Sequence, residues 1–294
     1  MRGLTLLQQY SNLIRLHQWV KNTLVFAPLI FAEYLGDSYV ILQSVIAFMV
    51  MSLAASGVYV FNDIVDVDLD RQHPYKKHRP LASGVISIQT ARILFILLFT
   101  ASILLAQLLS PMVSVIAVLY VIINIVYTLW LKHVVLVDVG IIAIGFVLRV
   151  MLGAVAIDVV VSGWLLLTTL YLALVMALGK RRHELIILGD SSDNHRRSLS
   201  SYSGLLLDQL LIMCATASVI TYGLYTMSPT VIVHFNTENL VYTVPLAVFG
   251  VFRYLYLVYG EGRGGEPSRL LFADPVLLLS VLTWGFSLIV IIYL

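Results

Sequence analysis

The sequence contains little charge and almost no cysteine. Only 12% of its 294 residues are Asp, Glu, Lys or Arg, and Cys214 is its one cysteine. A single cysteine excludes an intrachain disulfide and a metal site built from cysteines. The chain also lacks the motifs GxxxxGK[ST], GxSxG, HxxxH and HExxH. It therefore shows no sign of a P-loop ATPase, an α/β-hydrolase or a zinc protease.

Most of the chain is apolar. Apolar residues make up 60% of it, its mean hydropathy is +0.95, and apolar runs of about twenty residues recur. These runs are continuous rather than alternating, which favours membrane-spanning helices over a β-barrel. We therefore predict an all-α polytopic membrane protein of one domain, residues 1–294, with an interfacial amphipathic helix at 1–20. Such a charge-poor body is not expected to bind nucleic acid. Nine spans are predicted, at residues 20–35, 39–61, 88–109, 112–131, 137–157, 162–180, 204–227, 239–259 and 273–293.

The basic residues lie almost entirely on one side of these spans. Nearly all fall in the amino-terminal segment or in alternate connections, at residues 62–87, 132–137, 180–203 and 259–272. The positive-inside rule predicts that these segments face the cytoplasm and that the carboxyl terminus lies outside, which requires an odd number of spans. A cytoplasmic polar cap over an apolar bundle is typical of an enzyme that takes a phosphorylated substrate from the cytoplasm and a lipid from the bilayer. Transporters more often carry polar residues near the middle of the membrane.

The stretch from Asn62 to Pro80 carries four aspartates within this apolar chain. On a helix, four side chains fall within an arc of about 100°: Asn62, Asp63, Asp66 and Asp70. Asp68 points to the opposite side and should tolerate replacement by Ala. Carboxylates on one face repel each other unless a cation lies between them, and Mg²⁺ prefers oxygen ligands. Basic side chains that suit phosphate oxygens follow: Lys76, Lys77 and Arg79. The spacing alone leaves two interpretations open, a magnesium–diphosphate site and a solvated charged loop.

Other ionisable residues lie near the ends of the predicted spans. Lys132 and His133 end the fourth span, and Asp138 opens the fifth. Lys132 could meet a phosphate or only extend to the membrane surface, and Asp138 could hold a second metal or orient Lys132. Arg149 lies inside an apolar segment, where a charge is costly and is expected near a polar cavity or a carboxylate.

Seven segments carry a resemblance to a known family: HQWVKNTLVFAPL, NDIVDVDLDRQHPYKKHRPLASG, WLKH, FVLRVMLGAVA, GKRRHEL, RRSLSSYS, and GGEP before Asp274. On these segments the chain resembles the UbiA superfamily of intramembrane prenyltransferases over nearly its whole length. Within that superfamily it looks most like the branch that transfers phosphoribose to decaprenyl phosphate.

The resemblance implies a nine-helix bundle in the bacterial inner membrane with its active site on the cytoplasmic side. It implies 5-phosphoribosyl diphosphate as donor, a polyprenyl phosphate as acceptor, Mg²⁺ as cofactor, and a product used for arabinofuranose donors of the cell wall. It also allows a homo-oligomer.

The resemblance further assigns roles to individual residues. The implied metal ligands are Asn62, Asp63, Asp66 and Asp70. The implied catalytic residues are Asp63, Asp66, Lys76 and Arg79. The implied substrate-binding residues are Lys21, Asn62, Lys76, Arg79, Lys132, His133, Asp138, Arg149, Lys180, Arg181, Glu184, Arg197 and Tyr202.

The chain departs from the superfamily pattern at a second aspartate cluster. Asp138 alone occupies that region, and Ile142 stands four residues further on. A full second cluster serves a second Mg²⁺ on a prenyl diphosphate, so its absence fits an acceptor with a single phosphate. Three alternatives stay open: transfer of a prenyl group to a small acceptor, transport of a polyprenyl-linked sugar, and a scaffold without catalysis.

Overall fold

The computed structural model describes residues 5–74, 76–188, 201–262 and 264–294, and within these ranges all regular structure is helical. The chain divides into two compact units. The first comprises Met1–Leu29, Asp37–Leu131 and Leu148–Val159, and the second comprises Ile30–Gly36, Lys132–Val147 and Val160–Leu294.

Thirteen α-helices and four 3₁₀ helices follow one another along the described residues. The α-helices are α1 (Leu6–Ile14), α2 (Ala27–Phe31), α3 (Ser38–Val65), α4 (Val67–Gln72), α5 (Ile88–Gln107), α6 (Pro111–Leu129), α7 (Val137–Ala156), α8 (Gly163–Leu188), α9 (Gly204–Thr226), α10 (Pro229–Phe235), α11 (Val244–Tyr259), α12 (Pro267–Ala273) and α13 (Pro275–Tyr293). The 3₁₀ helices that enter the argument are Leu16–Phe26, Lys76–His78, Leu131–His133 and Asn239–Thr243.

Eight helical segments of the described chain are long and apolar enough to cross a membrane. They correspond to the second to ninth predicted spans, with Asn239–Thr243 and α11 together forming one of them. The predicted first span, residues 20–35, is instead a 3₁₀ helix that runs into the five-residue α2. The all-α membrane fold is confirmed, whereas the count of nine spans and the cytoplasmic cap stay predictions.

Local sequence explains where the long helices begin. The Asp37 carboxylate accepts from the amides of Tyr39 and Val40 at the start of α3, and the Asp274 carboxylate accepts from Leu277 N–H at 2.7 Å at the start of α13. Such side chains satisfy amides that have no partner within the helix. Proline occupies the first position of α6, α10, α12 and α13, where its missing N–H costs no hydrogen bond.

The amino-terminal segment is not the single helix predicted for residues 1–20. Helix α1 ends at Ile14. The next residue, Arg15, has the left-handed backbone angles φ 53° and ψ 53°, and the 3₁₀ helix Leu16–Phe26 follows. Two serines one turn apart on α3 hold this 3₁₀ helix. Ser56 Oγ accepts from Trp19 Nε1 at 3.0 Å, and Ser52 Oγ accepts from the Asn22 amide at 3.1 Å.

A glycine allows the same 3₁₀ helix to lie directly against α7. A Cβ atom added at Gly153 would clash with the carbonyl oxygen of Val25, whereas one added at Gly140, on the same helix, would meet nothing within 4 Å. We expect Gly153→Ala to destabilise the protein by about 1–3 kcal/mol through overpacking. Gly140→Ala should be neutral or slightly stabilising, because Ala is the better helix former. Thermal unfolding of the two variants in detergent tests this pair, and equal melting temperatures would contradict the contact.

Candidate active site

The acidic stretch of the first unit forms two helices. Helix α3 ends at Val65, Asp66 lies between the helices with φ −92° and ψ 7°, and α4 begins at Val67. Helical hydrogen bonds continue across the junction, from Asp66 N–H to Asn62 O at 3.0 Å and from Asp70 N–H to Asp66 O at 2.8 Å. The face predicted for a single helix is therefore largely kept. Buried Val60, Val67 and Leu81 pack beneath it.

Two aspartates of this face are buried and share one guanidinium. Arg79 Nη1 lies 3.3 Å from Asp63 Oδ1 and 2.6 Å from Asp70 Oδ2. A second arginine, Arg15, places Nη2 2.5 Å from Asp63 Oδ1, with its guanidinium carbon 4.7 Å from the centre of the Tyr59 ring. We call Arg15, Asp63, Asp70 and Arg79 the arginine–aspartate cluster. Both carboxylates of the cluster are shielded from water, so this part of the stretch is not a solvated loop, and the magnesium–diphosphate interpretation stays a prediction.

Most of the other charged residues of the stretch face outward. The Asp68 side chain is 82% exposed and pairs with Arg71 at 2.9 Å, as expected for the opposite face of the helix. Lys76 and Lys77 are exposed on the short 3₁₀ helix Lys76–His78, and Asp66 is half-buried. Both lysines are thus accessible to a soluble anion.

The predicted metal site stays a prediction, but two of its residues lie close together. Within the described ranges, no three His, Cys, Asp or Glu side chains form a group that could hold a metal ion, so Asp63, Asp66 and Asp70 do not converge as a set. Asp63 and Asp70, however, are both directed at one cationic nitrogen. Mg²⁺ is commonly held by one or two carboxylates together with water and substrate phosphate oxygens. These two side chains fit such a site.

The second unit contains a different buried cluster around Asp138. Arg181 Nε donates to Asp138 Oδ2 at 2.8 Å, and Arg181 Nη1 donates to Glu184. Tyr202 O–H donates to Asp138 Oδ1 at 2.7 Å and accepts from the backbone N–H of Leu136 at 2.7 Å. Burial, reinforced by the bond to Asp138, raises the pKa of Tyr202, so the phenol stays protonated near neutral pH.

These contacts change what the predicted residues of the second unit can do. Arg181 is 2% exposed and Asp138 is fully buried, so neither offers surface to a phosphate. They fit the role of positioning residues, whereas the resemblance implied direct substrate contact. Lys180 is about half exposed, with its Nζ atom 3.9 Å from Glu184, and His133 is exposed. Lys132, next to His133, is buried.

Arg149 is buried on α7, and two of its hydrogen bonds go to uncharged side chains of the first unit. Its Nε donates to Asn22 Oδ1 at 2.7 Å and its Nη2 donates to Tyr120 O–H at 2.9 Å. It therefore helps to hold the 3₁₀ helix on which half-buried Lys21 lies. Arg197, also predicted to bind substrate, lies outside the described residues.

Arg15 is the cluster residue that sequence reasoning missed. It is 48 residues from Asp63 in the chain, so helical spacing could not connect the two. It also stands where an interfacial helix would carry a basic residue in any case. The only available signal was the position of a charge directly before a largely apolar segment.

Comparisons with characterised proteins agree with this architecture. Three relatives named decaprenyl-phosphate phosphoribosyltransferase align along nearly the whole chain. The protein from Mycolicibacterium smegmatis is 34% identical over 282 residues, which cover 92% of this chain and 88% of the relative. The protein from Corynebacterium glutamicum is 33% identical over 287 residues, covering 96% and 86%. The protein from Mycobacterium tuberculosis strain H37Rv is 34% identical over 275 residues, covering 92% and 90%.

Solved structures share the fold at lower sequence identity. A UbiA homolog from Archaeoglobus fulgidus bound to GPP and Mg²⁺ superposes with a TM-score of 0.72 at 17% identity, covering 96% of this chain and 99% of that one. A structure described as digeranylgeranylglyceryl phosphate synthase gives 0.66 at 21% identity, covering 98% and 99%. The family model described as UbiA prenyltransferase family matches residues 23–276. This integral membrane protein therefore belongs to the UbiA prenyltransferase family.

Proposed function

We propose that the protein transfers 5-phosphoribose from 5-phosphoribosyl diphosphate to a polyprenyl phosphate and releases diphosphate. One observation carries the proposal: identity of 33–34% to decaprenyl-phosphate phosphoribosyltransferases over more than nine-tenths of the chain. The paired, buried state of Asp138 is a second support, since this carboxylate is not available for the second metal that a prenyl diphosphate would need.

The arginine–aspartate cluster is suited to hold the donor's diphosphate. Asp63 and Asp70 would bind Mg²⁺, with Asn62 and Asp66 as further oxygen donors, and the bound ion would neutralise charge that develops on the leaving diphosphate. Arg79 and the exposed Lys76 would bind the remaining diphosphate oxygens. The ribosyl carbon should acquire oxocarbenium character as the bond to diphosphate breaks.

The acceptor needs little chemical activation. A polyprenyl phosphate is already anionic near pH 7, so an oxygen of that group can attack the ribosyl carbon without a strong general base. Lys21, Lys132, His133 and Lys180 would bind the phosphate groups of the substrates. Arg181, Glu184 and Tyr202 would position the segments that carry them, and good positioning is itself a large catalytic contribution.

The positions of the basic residues bear on where the reaction takes place. The distribution of Lys and Arg along the chain supports an active site on the cytoplasmic side of a bacterial inner membrane. The donor would arrive from the cytoplasm and the acceptor from the bilayer, and the product would supply arabinofuranose donors for the cell wall. A homo-oligomer is proposed only because the family resemblance allows one.

Product analysis tests the proposed reaction. Purified protein is incubated with phosphoribosyl diphosphate, decaprenyl phosphate and Mg²⁺, and the lipid fraction is examined by mass spectrometry. We expect a lipid heavier than the acceptor by one phosphoribosyl group, and loss of that product when EDTA replaces Mg²⁺. A parallel reaction contains geranyl diphosphate and a small aromatic acceptor. A prenylated product there, without any phosphoribosyl lipid, would contradict the proposal and favour prenyl transfer.

A further inference from the structure

Arg15 adopts a backbone conformation that its side chain does not favour. It is a non-glycine residue with φ 53° and ψ 53°, at the point where α1 ends and the 3₁₀ helix begins. Glycine is the usual residue for this left-handed conformation, because any Cβ atom there crowds the following carbonyl. The Arg15 side chain reaches from this position to buried Asp63. A strained residue whose side chain enters a candidate site is a reason to look for a function.

Formal charges cancel within the arginine–aspartate cluster. Its two guanidinium groups face two carboxylates, and both carboxylates are almost completely buried. A buried carboxylate without a counter-charge is costly, so the two arginines stabilise the fold before any metal binds. Arg15 supplies half of this positive charge. The same contact occupies oxygen Oδ1 of Asp63, one of the two oxygens that this carboxylate can offer to a metal ion.

A divalent cation added to this balanced cluster would leave two positive charges in excess. Arg15 and Arg79 would lose carboxylate partners and would repel the ion at short range. An anionic diphosphate removes both problems, because its oxygens can accept from the released guanidinium groups and complete the ligands of the metal. The charge count therefore predicts that metal and diphosphate favour each other's binding.

We propose that Arg15 couples the binding of Mg²⁺ to the binding of the donor's diphosphate by exchanging its contact with Asp63 for a phosphate oxygen. The inference deepens the proposed function and rests on its assignment of the cluster to a metal–diphosphate complex. Coupling of this kind is reciprocal and commonly amounts to between about 5-fold and 150-fold in affinity. Because the Arg15 side chain competes with the metal for Asp63 when no donor is bound, it would also weaken the binding of Mg²⁺ alone.

Thermal unfolding of the full-length protein in detergent tests this coupling without any turnover. The melting temperature is followed against MgCl₂ concentration, with and without inorganic pyrophosphate, for the unmodified protein, Arg15→Gln, Arg15→Lys and Arg71→Gln. In the unmodified protein we expect pyrophosphate to strengthen the apparent affinity for Mg²⁺ by about 10-fold or more. For Arg15→Gln we expect Mg²⁺ alone to bind about 10-fold more tightly and pyrophosphate to add only about 2-fold.

The other two variants serve as controls. Arg71 forms an exposed pair with Asp68 in the same stretch, so Arg71→Gln should behave like the unmodified protein. Arg15→Lys keeps the positive charge and should also retain the coupling. All samples share the same association of Mg²⁺ with pyrophosphate in solution, so differences between variants report on the protein.

Each outcome of this experiment supports or overturns the proposal. It is overturned if Arg15→Gln binds Mg²⁺ alone no more tightly than the unmodified protein does, or if Arg15→Lys loses the coupling as Arg15→Gln does. An Arg15→Gln protein that folds only in the presence of Mg²⁺ supports it, and one that fails to fold at any Mg²⁺ concentration counts against it. The result is independent of phosphoribosyl transfer, so a failed product analysis and a failed coupling experiment remain distinguishable.

Discussion

Asp70→Asn is expected to reduce phosphoribosyl transfer by at least about 100-fold. The substitution keeps the size of the side chain but removes the negative charge that faces Arg79 at 2.6 Å and that we assign to Mg²⁺. Loss of one preorganised electrostatic contact to the transition state typically costs a factor of 10²–10³. The reaction is followed as labelled phosphoribose that enters the lipid fraction, at saturating donor and over a range of Mg²⁺ concentrations.

Asp68→Asn is the matched control for this prediction. It makes the same chemical change two residues away, on a side chain that is 82% exposed. We expect its rate to stay within about 2-fold of the unmodified protein, because exposed pairs contribute little. Equal losses in the two variants would show that the whole stretch, rather than its buried face, is sensitive. Undiminished transfer by Asp70→Asn would remove Asp70 from the proposed metal site.

Arg181→Leu is expected to destabilise the protein by about 3–5 kcal/mol. Arg181 is almost fully buried, and its removal leaves Asp138 buried without its cationic partner. Breaking one side of a buried ion pair typically has a cost of this size. Thermal unfolding in detergent measures it. If Arg181 instead served mainly to bind a substrate phosphate, the variant would keep its melting temperature and lose affinity for substrate.

A double variant separates two causes of the destabilisation: the uncompensated charge of Asp138 and the lost packing of the Arg181 side chain. Arg181→Leu combined with Asp138→Asn removes both charges, and we expect it to be more stable than Arg181→Leu alone. Arg269→Leu serves as the control, because Arg269 forms an exposed pair with Glu266 at 2.7 Å and its loss should leave the melting temperature unchanged. A double variant no more stable than the single one would indicate that the shape of the guanidinium, rather than its charge, stabilises Asp138.

The spanning helices were predictable because two local signals agree along the chain. Apolar runs give the spans, and residue pairs such as Ser110 with Pro111 and Asp274 with Pro275 give their first turns. The predicted bounds of the second to ninth spans lie close to those observed, except that α8 continues to Leu188, beyond the predicted end at 180. The 3₁₀ helix Leu16–Phe26 was not predictable, since hydroxyl groups on α3 and a glycine on α7 stabilise it from elsewhere in the chain.

The site was predictable only where its residues are neighbours on one helix face. Helical spacing brought Asp63 and Asp70 together and turned Asp68 outward, as observed. The same reasoning could not connect Arg15 with Asp63, nor Asp138 with Arg181 and Tyr202, because these contacts join segments distant in sequence. The resemblance implied that Arg181 and Asp138 bind substrate, whereas the structure pairs them with each other.

The spacing of polar residues along α3 has a consequence for how this chain can tolerate insertions. Ser56 holds Trp19 and the carbonyl of Ile14, and Asp63, seven residues later, holds Arg15. Seven residues make almost two helical turns, so the side chains of Ser56 and Asp63 project from the same side of α3. One extra residue between them would rotate Asp63 by about 100° relative to Ser56. The length of this interval is thus as constrained as the identity of Asp63, although four of the six intervening residues are hydrophobic.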